Sequence, residues 1–303
     1  MNVNKIIYKI RQAFYKINNL DQIINNQITI NRYVSLAMMS TEKGTCDDLL
    51  FEHPMIVSLT TYGLRINEVY LTVESLLHQT VKPNRIILWL DNSFKNSNIP
   101  FVLREQEKRG LEICYCEDIR SYTKLIPTLE VYPNSVIVTV DDDMIYTPDF
   151  IEHLANAYQK DNAKIYFYRG HKIVFDKKGN LASYLNWVKA GANGSSILNL
   201  PTGVCGVLYP PNCFHKDVTN RKVFMDICPY ADDIWFKAMS LLNGVECEKI
   251  ETGKDANEKF VYVETAVLYS LSNVNNVQGM NDVQISKVFE KYNLKSMLYE
   301  TSF

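Results

Sequence analysis

MIVSLTTYGLRINEVYLTVESLLHQTVKPNRIILWLDNS, residues 55–93, holds two short apolar runs separated by a helical stretch. Met55–Thr60 and Arg85–Leu90 have the length and β-branched content of buried strands, and Lys82-Pro83-Asn84 introduces the second. Between them Val69, Val73, Leu76 and Leu77 recur at helical spacing and fall on one stripe. Strand, helix, strand is a parallel βαβ unit, and the pattern continues downstream. A helix is expected around Phe101–Arg109, a strand at Leu111–Cys116, a helical piece near Lys124–Glu130 and a strand at Val136–Val140. The fold class is therefore α/β, with a mostly parallel, Rossmann-like sheet and helices on both faces.

The alternation stops after TPDFIEHLANAY, residues 147–158. There Thr147 reads as an N-cap and Pro148 as the first helical position, with Phe150, Leu154 and Tyr158 on one face. The segment KIYFYRGHKIVFDKKGNLASY, residues 164–184, has the composition of a hairpin with DKKGN as its turn. From Asp282 a helical period returns through Ile285, Val288, Phe289 and Tyr292. The chain thus divides into residues 1–53, an N-terminal helix and arm; residues 54–160, the α/β half; and residues 161–303, a mixed half with a helical tail. In the first part Ile6, Ile10, Phe14 and Ile17 lie at helical spacing, flanked by Lys5, Lys9, Arg11 and Lys16. Residues 1–20 suit docking on the domain itself or on a second copy, or a peripheral contact with an anionic membrane. Asn18–Glu52 carries little pattern and reads as a linker or irregular arm.

The bulk properties exclude several classes. A chain of 303 residues with 47% hydrophobic and 22% charged side chains is ordinary globular material. Its formal net charge of -2 argues against a general nucleic-acid binder. No run approaches the ~20 apolar residues that span a bilayer, and the early hydrophobes are too interrupted for a signal peptide. The seven cysteines are scattered without a CxxC pair. Cys114 and Cys116 sit two apart on one strand face, which suits packing better than zinc. A reducing, cytoplasmic setting is expected, at most peripheral to the inner face of the membrane.

In doubly wound sheets the ligand crevice lies beyond the carboxyl ends of the strands. Those ends carry Thr60, Thr61 and Tyr62; Asp91; Glu117 and Asp118; and Asp141, Asp142 and Asp143. Three adjacent carboxylates at a strand end repel one another and call for a neutralising cation or donors. Clustered aspartates beside a phosphate-sized crevice suit a hard divalent ion, Mn²⁺ or Mg²⁺. Asp143 is the expected direct ligand and Asp141 a contact to metal, ribose or both, with Asp142 in a supporting position of the nucleotide site. An Asp-rich turn capping the next helix is the structural alternative.

VTVDDDMIY after an apolar strand resembles the DXD motif of GT-A glycosyltransferases, which use nucleotide-diphospho-sugars. The opening βαβ resembles that of the family-two-like bacterial members, and the likeness extends through DIRSYTKLIPTL to PTGVCGVLYPP and ADDIWFKAM, about residues 55–242. It implies that Thr60, Tyr62 and Arg65 cradle the base and diphosphate, that Asp91 accepts a hydrogen bond from the base, and that Lys124 is a basic nucleotide contact. It implies that residues 54–160 bind the nucleotide sugar and that the second half faces the acceptor, with Gly203 and Gly206 close to a ligand. From Ala231–Met239 it implies Asp233 as general base, Asp232 next, and inversion at the anomeric carbon. Trp235 reads as core packing or a sugar platform. The donor implied is a UDP-sugar by mild preference, and the acceptor a glycan or lipid-linked saccharide of bacterial surface polysaccharide. One departure stands out: no histidine follows His215, so a further diphosphate ligand would have to come from the Asn and Asp of Ser272–Asp282. A nucleotidyltransferase making nucleotide sugars and a non-catalytic glycan-binding module are the alternatives. The first prefers a more glycine-rich and basic loop than TTYGLR. A phosphoesterase would bring histidine ligands that the acidic motifs lack.

Overall fold

The computed structural model describes residues 20–191, 194–253, 259–263 and 279–300. Four parallel strands, β1 (Met55–Thr60), β2 (Arg85–Asp91), β3 (Leu111–Cys116) and β4 (Val136–Thr139), form the first half of a sheet. The helices between them are α2 (Val69–Leu77), α3 (Phe101–Glu107) and α4 (Ile126–Val131), following α1 (Leu20–Met39). A two-residue strand β5 (Met144–Ile145) and helix α5 (Phe150–Lys160) come next. The second half contributes β6 (Ile165–Phe167), β10 (Val207–Tyr209) and β11 (Cys247–Lys249) to the same sheet, whose order is β11-β6-β10-β4-β1-β2-β3. Strand β10 runs antiparallel to both neighbours, so the expected change to a mixed second half falls at the β4–β10 seam. The α/β reading holds, and one sheet joins the two halves.

The strands are nearly continuous apolar runs because both faces are covered. Val57 and Leu59 point to one face, with α2 and α5 residues such as Val73, Leu76 and Phe150. Ile56 points to the other, with Ile87, Trp89, Cys114 and Cys116. The two β3 cysteines therefore pack, and all seven thiols are free. A second core lies under β10 and β6, where α7 (Asp232–Leu242) buries Trp235 completely and directs its indole N–H to the Val218 carbonyl at 2.9 Å. Trp235 is core, not a sugar platform.

Outside the main sheet, β7 (Gly170–Lys172) pairs with β8 (Val188–Lys189) and β9 (Asn199–Pro201) in a small antiparallel sheet. DKKGN forms the expected turn: Asp176 Oδ1 accepts from the Lys178 and Asn180 amides, at 2.8 Å each. Its arms meet only at the Phe175–Leu181 bridge, while β6 and β7 go to different sheets. Strand β12 (Val261–Tyr262) pairs with β5. Between β10 and α7 lies the short helix α6 (Arg221–Ile227), and the tail forms α8 (Met280–Lys291) and α9 (Leu294–Glu300). Asp282 on α8 accepts hydrogen bonds from the Ser183 hydroxyl and the Tyr184 amide, both at 2.7 Å. Gln284 accepts from the Tyr230 amide at 2.8 Å.

Two local readings are corrected. Leu20–Met39 is a helix rather than an irregular arm: Ile30, Tyr33, Val34 and Leu36 lie against Leu71, Ile145 and Val263. Apolar residues also occupy its outer side, including Leu20, Ile23, Ile24 and Ile28, and this blurs the amphipathic period in the sequence. At α5 the N-cap position belongs to Asp149, and Thr147 donates to Asp149 Oδ1 at 2.5 Å. The chain turns once through Pro148 before helix begins. The pattern in residues 6–17 lies outside the described residues, as does most of Ser272–Asp282. Among the described residues, no helix is long and apolar enough to cross a membrane.

Candidate functional site

The sheet order reverses direction between β1 and β4: β2 and β3 lie to one side of β1, β4 to the other. Such a switch point opens a crevice at the carboxyl ends of the two strands. Thr61 leaves β1 there, and Asp141–Asp143 leave β4. The sequence-expected residues converge on this point unevenly.

Asp142 is sealed in. Thr61 Oγ1 donates to its Oδ2 and Arg65 Nη1 to its Oδ1, both at 2.6 Å, while Thr72 holds its carbonyl at 2.9 Å. Arg65, on the single 3₁₀ turn after β1, reaches on to Asp143 Oδ2 at 3.0 Å. Asp141 meets a different cation: Lys124 Nζ lies 3.3 Å from its Oδ1 and 3.2 Å from Asp232 Oδ2 at the start of α7. The Asp141 amide donates to the buried Tyr146 hydroxyl at 3.0 Å. Asp233, next on α7, accepts the Gly203 amide at 2.9 Å. A Cβ at Gly203 would stand 2.2 Å from Lys124 Nζ and 3.2 Å from Asp233 Oδ1, so glycine is what lets this loop close on the cluster.

Five carboxylates thus share two cations, and the excess shows in their protonation. Burial, then the charges of Asp141 and Asp142, push Asp143 up to about 7 against the pull of Arg65. Burial and Asp232, with a smaller part from Asp141, push Asp233 up to about 7 although Lys124 opposes. Burial alone would lower Lys124, yet Asp141, Asp232 and Asp233 together hold it well above its ordinary value, so it stays an ammonium. Asp142 is raised by burial despite Arg65 and Thr61.

Other expected residues stay at the edge of this cluster. Asp91 caps its own 3₁₀ turn by accepting the Ser93 amide at 2.8 Å. Thr60 donates to the Trp89 carbonyl at 2.9 Å, within the sheet. Tyr62 is exposed, its ring 5.6 Å from the Arg65 guanidinium. Glu117 pairs with Arg221 at 2.8 Å and Asp118 caps the Arg120 amide, so the β3 end is structural. Sequence reasoning placed Thr61 on the rim without giving it a role, and left out Tyr146. Their roles come from register across β1 and β4 and from a turn five residues on, and neither leaves a mark in a linear pattern.

The donor set bears on a divalent ion. Among the described residues no group of three His, Cys, Asp or Glu converges to hold one. Within the triplet Asp142 is enclosed while Asp141 and Asp143 are part-exposed, and Mg²⁺ or Mn²⁺ commonly takes one or two carboxylates beside waters and substrate phosphates. The uncompensated negative charge fits such an ion.

No family model matches the chain, and no curated protein does. Three solved structures are similar at low identity. CMP:2-keto-3-deoxy-manno-octonic acid synthetase complexed with CTP is 11% identical at a TM-score of 0.38, over 66% of this chain and 90% of that one. Residues 1–349 of S. aureus TarS are 15% identical at 0.43, over 82% and 72%. The inositol-1-phosphate CTP transferase from T. maritima is 9% identical at 0.40, over 80% and 98%. At such low overlap none of them assigns a function to this chain.

Proposed function

We propose that the chain is a glycosyltransferase that moves a sugar from a nucleotide-diphospho-sugar to the hydroxyl of a glycan or lipid-linked acceptor, with inversion. The observation that carries this reading is the meeting of two acidic groups across one crevice. Asp141–Asp143 end a central strand, Asp232 and Asp233 open a helix from the other half, and Lys124 joins them.

The two groups are suited to different tasks. Asp233 is a carboxylate poised near neutrality and fixed by a backbone N–H, as a general base requires. It takes the proton of the acceptor hydroxyl as that oxygen bonds to the anomeric carbon. The bond from that carbon to the diphosphate oxygen breaks, and the electron pair leaves with the nucleotide diphosphate. Lys124 and Asp232 hold Asp233 in a fixed field. On the donor side Arg65 faces the phosphates, Tyr62 offers an exposed ring for the base, and Asp91 keeps its second oxygen for a base N–H. Asp143 and Asp141 would hold Mn²⁺ or Mg²⁺, which supplies Lewis-acid stabilisation of the leaving diphosphate. A setting in bacterial surface polysaccharide assembly belongs to the same proposal, as does a UDP-sugar donor.

The test is a melting-temperature screen of nucleoside diphosphates, triphosphates and nucleotide sugars with and without Mn²⁺, since a ligand bound to the native state raises its Tm. A metal-dependent shift by one nucleoside diphosphate, lost in Asp143→Ala and kept in Asp233→Asn, is the expected result. A shift by triphosphates alone would move the reading to nucleotidyl transfer, and no shift by any nucleotide would refute the donor site.

A further inference from the structure

The geometry points to an anion-binding subsite at Arg169 on the acceptor side of the crevice, so that the acceptor is an acidic glycan, one bearing phosphate or carboxylate. This deepens the glycosyltransferase reading and rests on it.

Arg169 lies between β6 and β7. Its carbonyl accepts from the Thr202 amide at 2.9 Å and the Thr202 hydroxyl at 3.1 Å, and its Nη1 reaches that hydroxyl at 3.4 Å. The next residue is Gly203, whose amide holds Asp233. The guanidinium is therefore tied to the segment that positions Asp233. Two tyrosines place it relative to the carboxylates. Tyr184 is pushed up to about 12 by burial and then by Asp233, with Arg169 opposing. Tyr262 is pushed up to about 12 by burial and the Cys205 thiol, with Arg169 opposing and Asp143 and Asp141 adding to the rise. Arg169 thus acts on two tyrosines, one of which feels Asp233 and the other Asp143 and Asp141.

Its partners distinguish it from the other cations of the crevice. Arg65 and Lys124 are each shared between two carboxylates. Arg169 is half-buried, and among the described residues its side chain meets one hydroxyl and no carboxylate. Two further basic side chains stand near it on the small sheet. His171 on β7 pairs directly with Lys189 on β8, which puts the two side chains on one face. Burial, then Arg169 and Lys189, hold His171 below its ordinary value. The buried Nδ1 of His171 has no hydrogen-bond partner among the described residues, and its ring meets Tyr184 at 5.2 Å. A crevice with excess carboxylates repels an acidic acceptor unless a cation stands beside the base. A guanidinium offers a planar fork matched to phosphate or carboxylate, and Arg169 is placed to do so.

The experiment is calorimetric titration of the full chain saturated with UDP and Mn²⁺. Glycerol 3-phosphate and glucuronate are the acidic probes, glycerol and glucose their neutral counterparts. Wild type should bind an acidic probe and not its neutral counterpart, and which acid binds tells phosphate from carboxylate. Arg169→Gln should weaken that binding about tenfold or more, the worth of a charge-assisted hydrogen bond. Arg169→Lys should recover part of it, and UDP affinity should be the same in all three. Equal binding of neutral and acidic probes, no binding of any probe at millimolar concentration, or acid binding unchanged in Arg169→Gln would each overturn the inference. So would loss of UDP with retention of the acid, which would return Arg169 to the donor. If wild type binds no UDP, the transferase reading fails by itself, and the acidic probes titrated without nucleotide still decide whether Arg169 holds an anion.

Discussion

Replacing Asp143 by Asn should stabilise the metal-free protein at alkaline pH and leave it unchanged in acid. Asp143 is 17% exposed and held at about 7, against 3.8 for an ordinary aspartate. The folded state therefore binds this proton more tightly than the unfolded chain does. The stability it contributes is complete below the unfolded value and is lost as pH rises through about 7. The difference of about three pH units corresponds to a ceiling of about 4 kcal/mol, at ~1.4 kcal/mol per unit. The pull of Arg65, whose Nη2 lies 3.0 Å from the same side chain, is already contained in that value. The gain at pH 8 is therefore at most about 4 kcal/mol, on the order of 8 °C in Tm for a domain of this size. The offset should shrink steadily as pH falls from about 7 toward 3.8, where the unfolded carboxyl takes up its own proton, and the two melting temperatures should converge there. The assay is thermal denaturation of both proteins from pH 5 to 8 with chelator present. Melting curves offset by the same amount at every pH would refute the charge count, because a packing effect does not titrate. Adding Mn²⁺ at pH 8 should then raise wild type and not the variant.

Three further outcomes follow from the same geometry. Asp233→Asn should lower sugar transfer about 10²–10⁴-fold with nucleotide binding intact, and wild-type turnover should fall as pH drops below about 7, both read in a transfer assay across pH. Gly203→Ala should displace Lys124, whose Nζ would lie 2.2 Å from the new methyl; activity should drop far more than Tm, and equal activity would show that the lysine has room to move. Arg109→Ala should leave Glu74, which is fully buried and paired at 2.9 Å, without its guanidinium, at about 3–5 kcal/mol by denaturant unfolding.

The parallel half of the fold is legible in the sequence because its strands are buried on both faces and its helices carry one apolar stripe. Val57 and Ile56 point opposite ways, and both are needed. Helix α1 escaped because Ile23, Ile24 and Ile28 decorate its outer side, so composition masked the period that Tyr33 and Ala37 obey. In the second half the DKKGN turn and the tail helix were legible, but the sheet strands were not. Two- and three-residue strands such as β8 and β10 fall below the length at which alternation can be recognised. At the site, the acidic motifs stood out because adjacent carboxylates are costly without a reason. Their partners did not: Thr61 meets Asp142 across 81 positions, and Lys124 meets Asp232 only because the chain has folded. Arg169 carried no motif at all, and its interest lies in the carboxylates it avoids.

The tail helix α8 accepts the Tyr184 amide through Asp282 and the Tyr230 amide through Gln284. Tyr184 feels the charge of Asp233, and Tyr230 lies two residues ahead of Asp232. This tail helix is therefore what fastens the rim of the crevice. A chain clipped before Asp282 would keep every strand of the central sheet and leave Asp233 on an unsecured edge, so an intact sheet and a finished crevice are separate achievements of this fold.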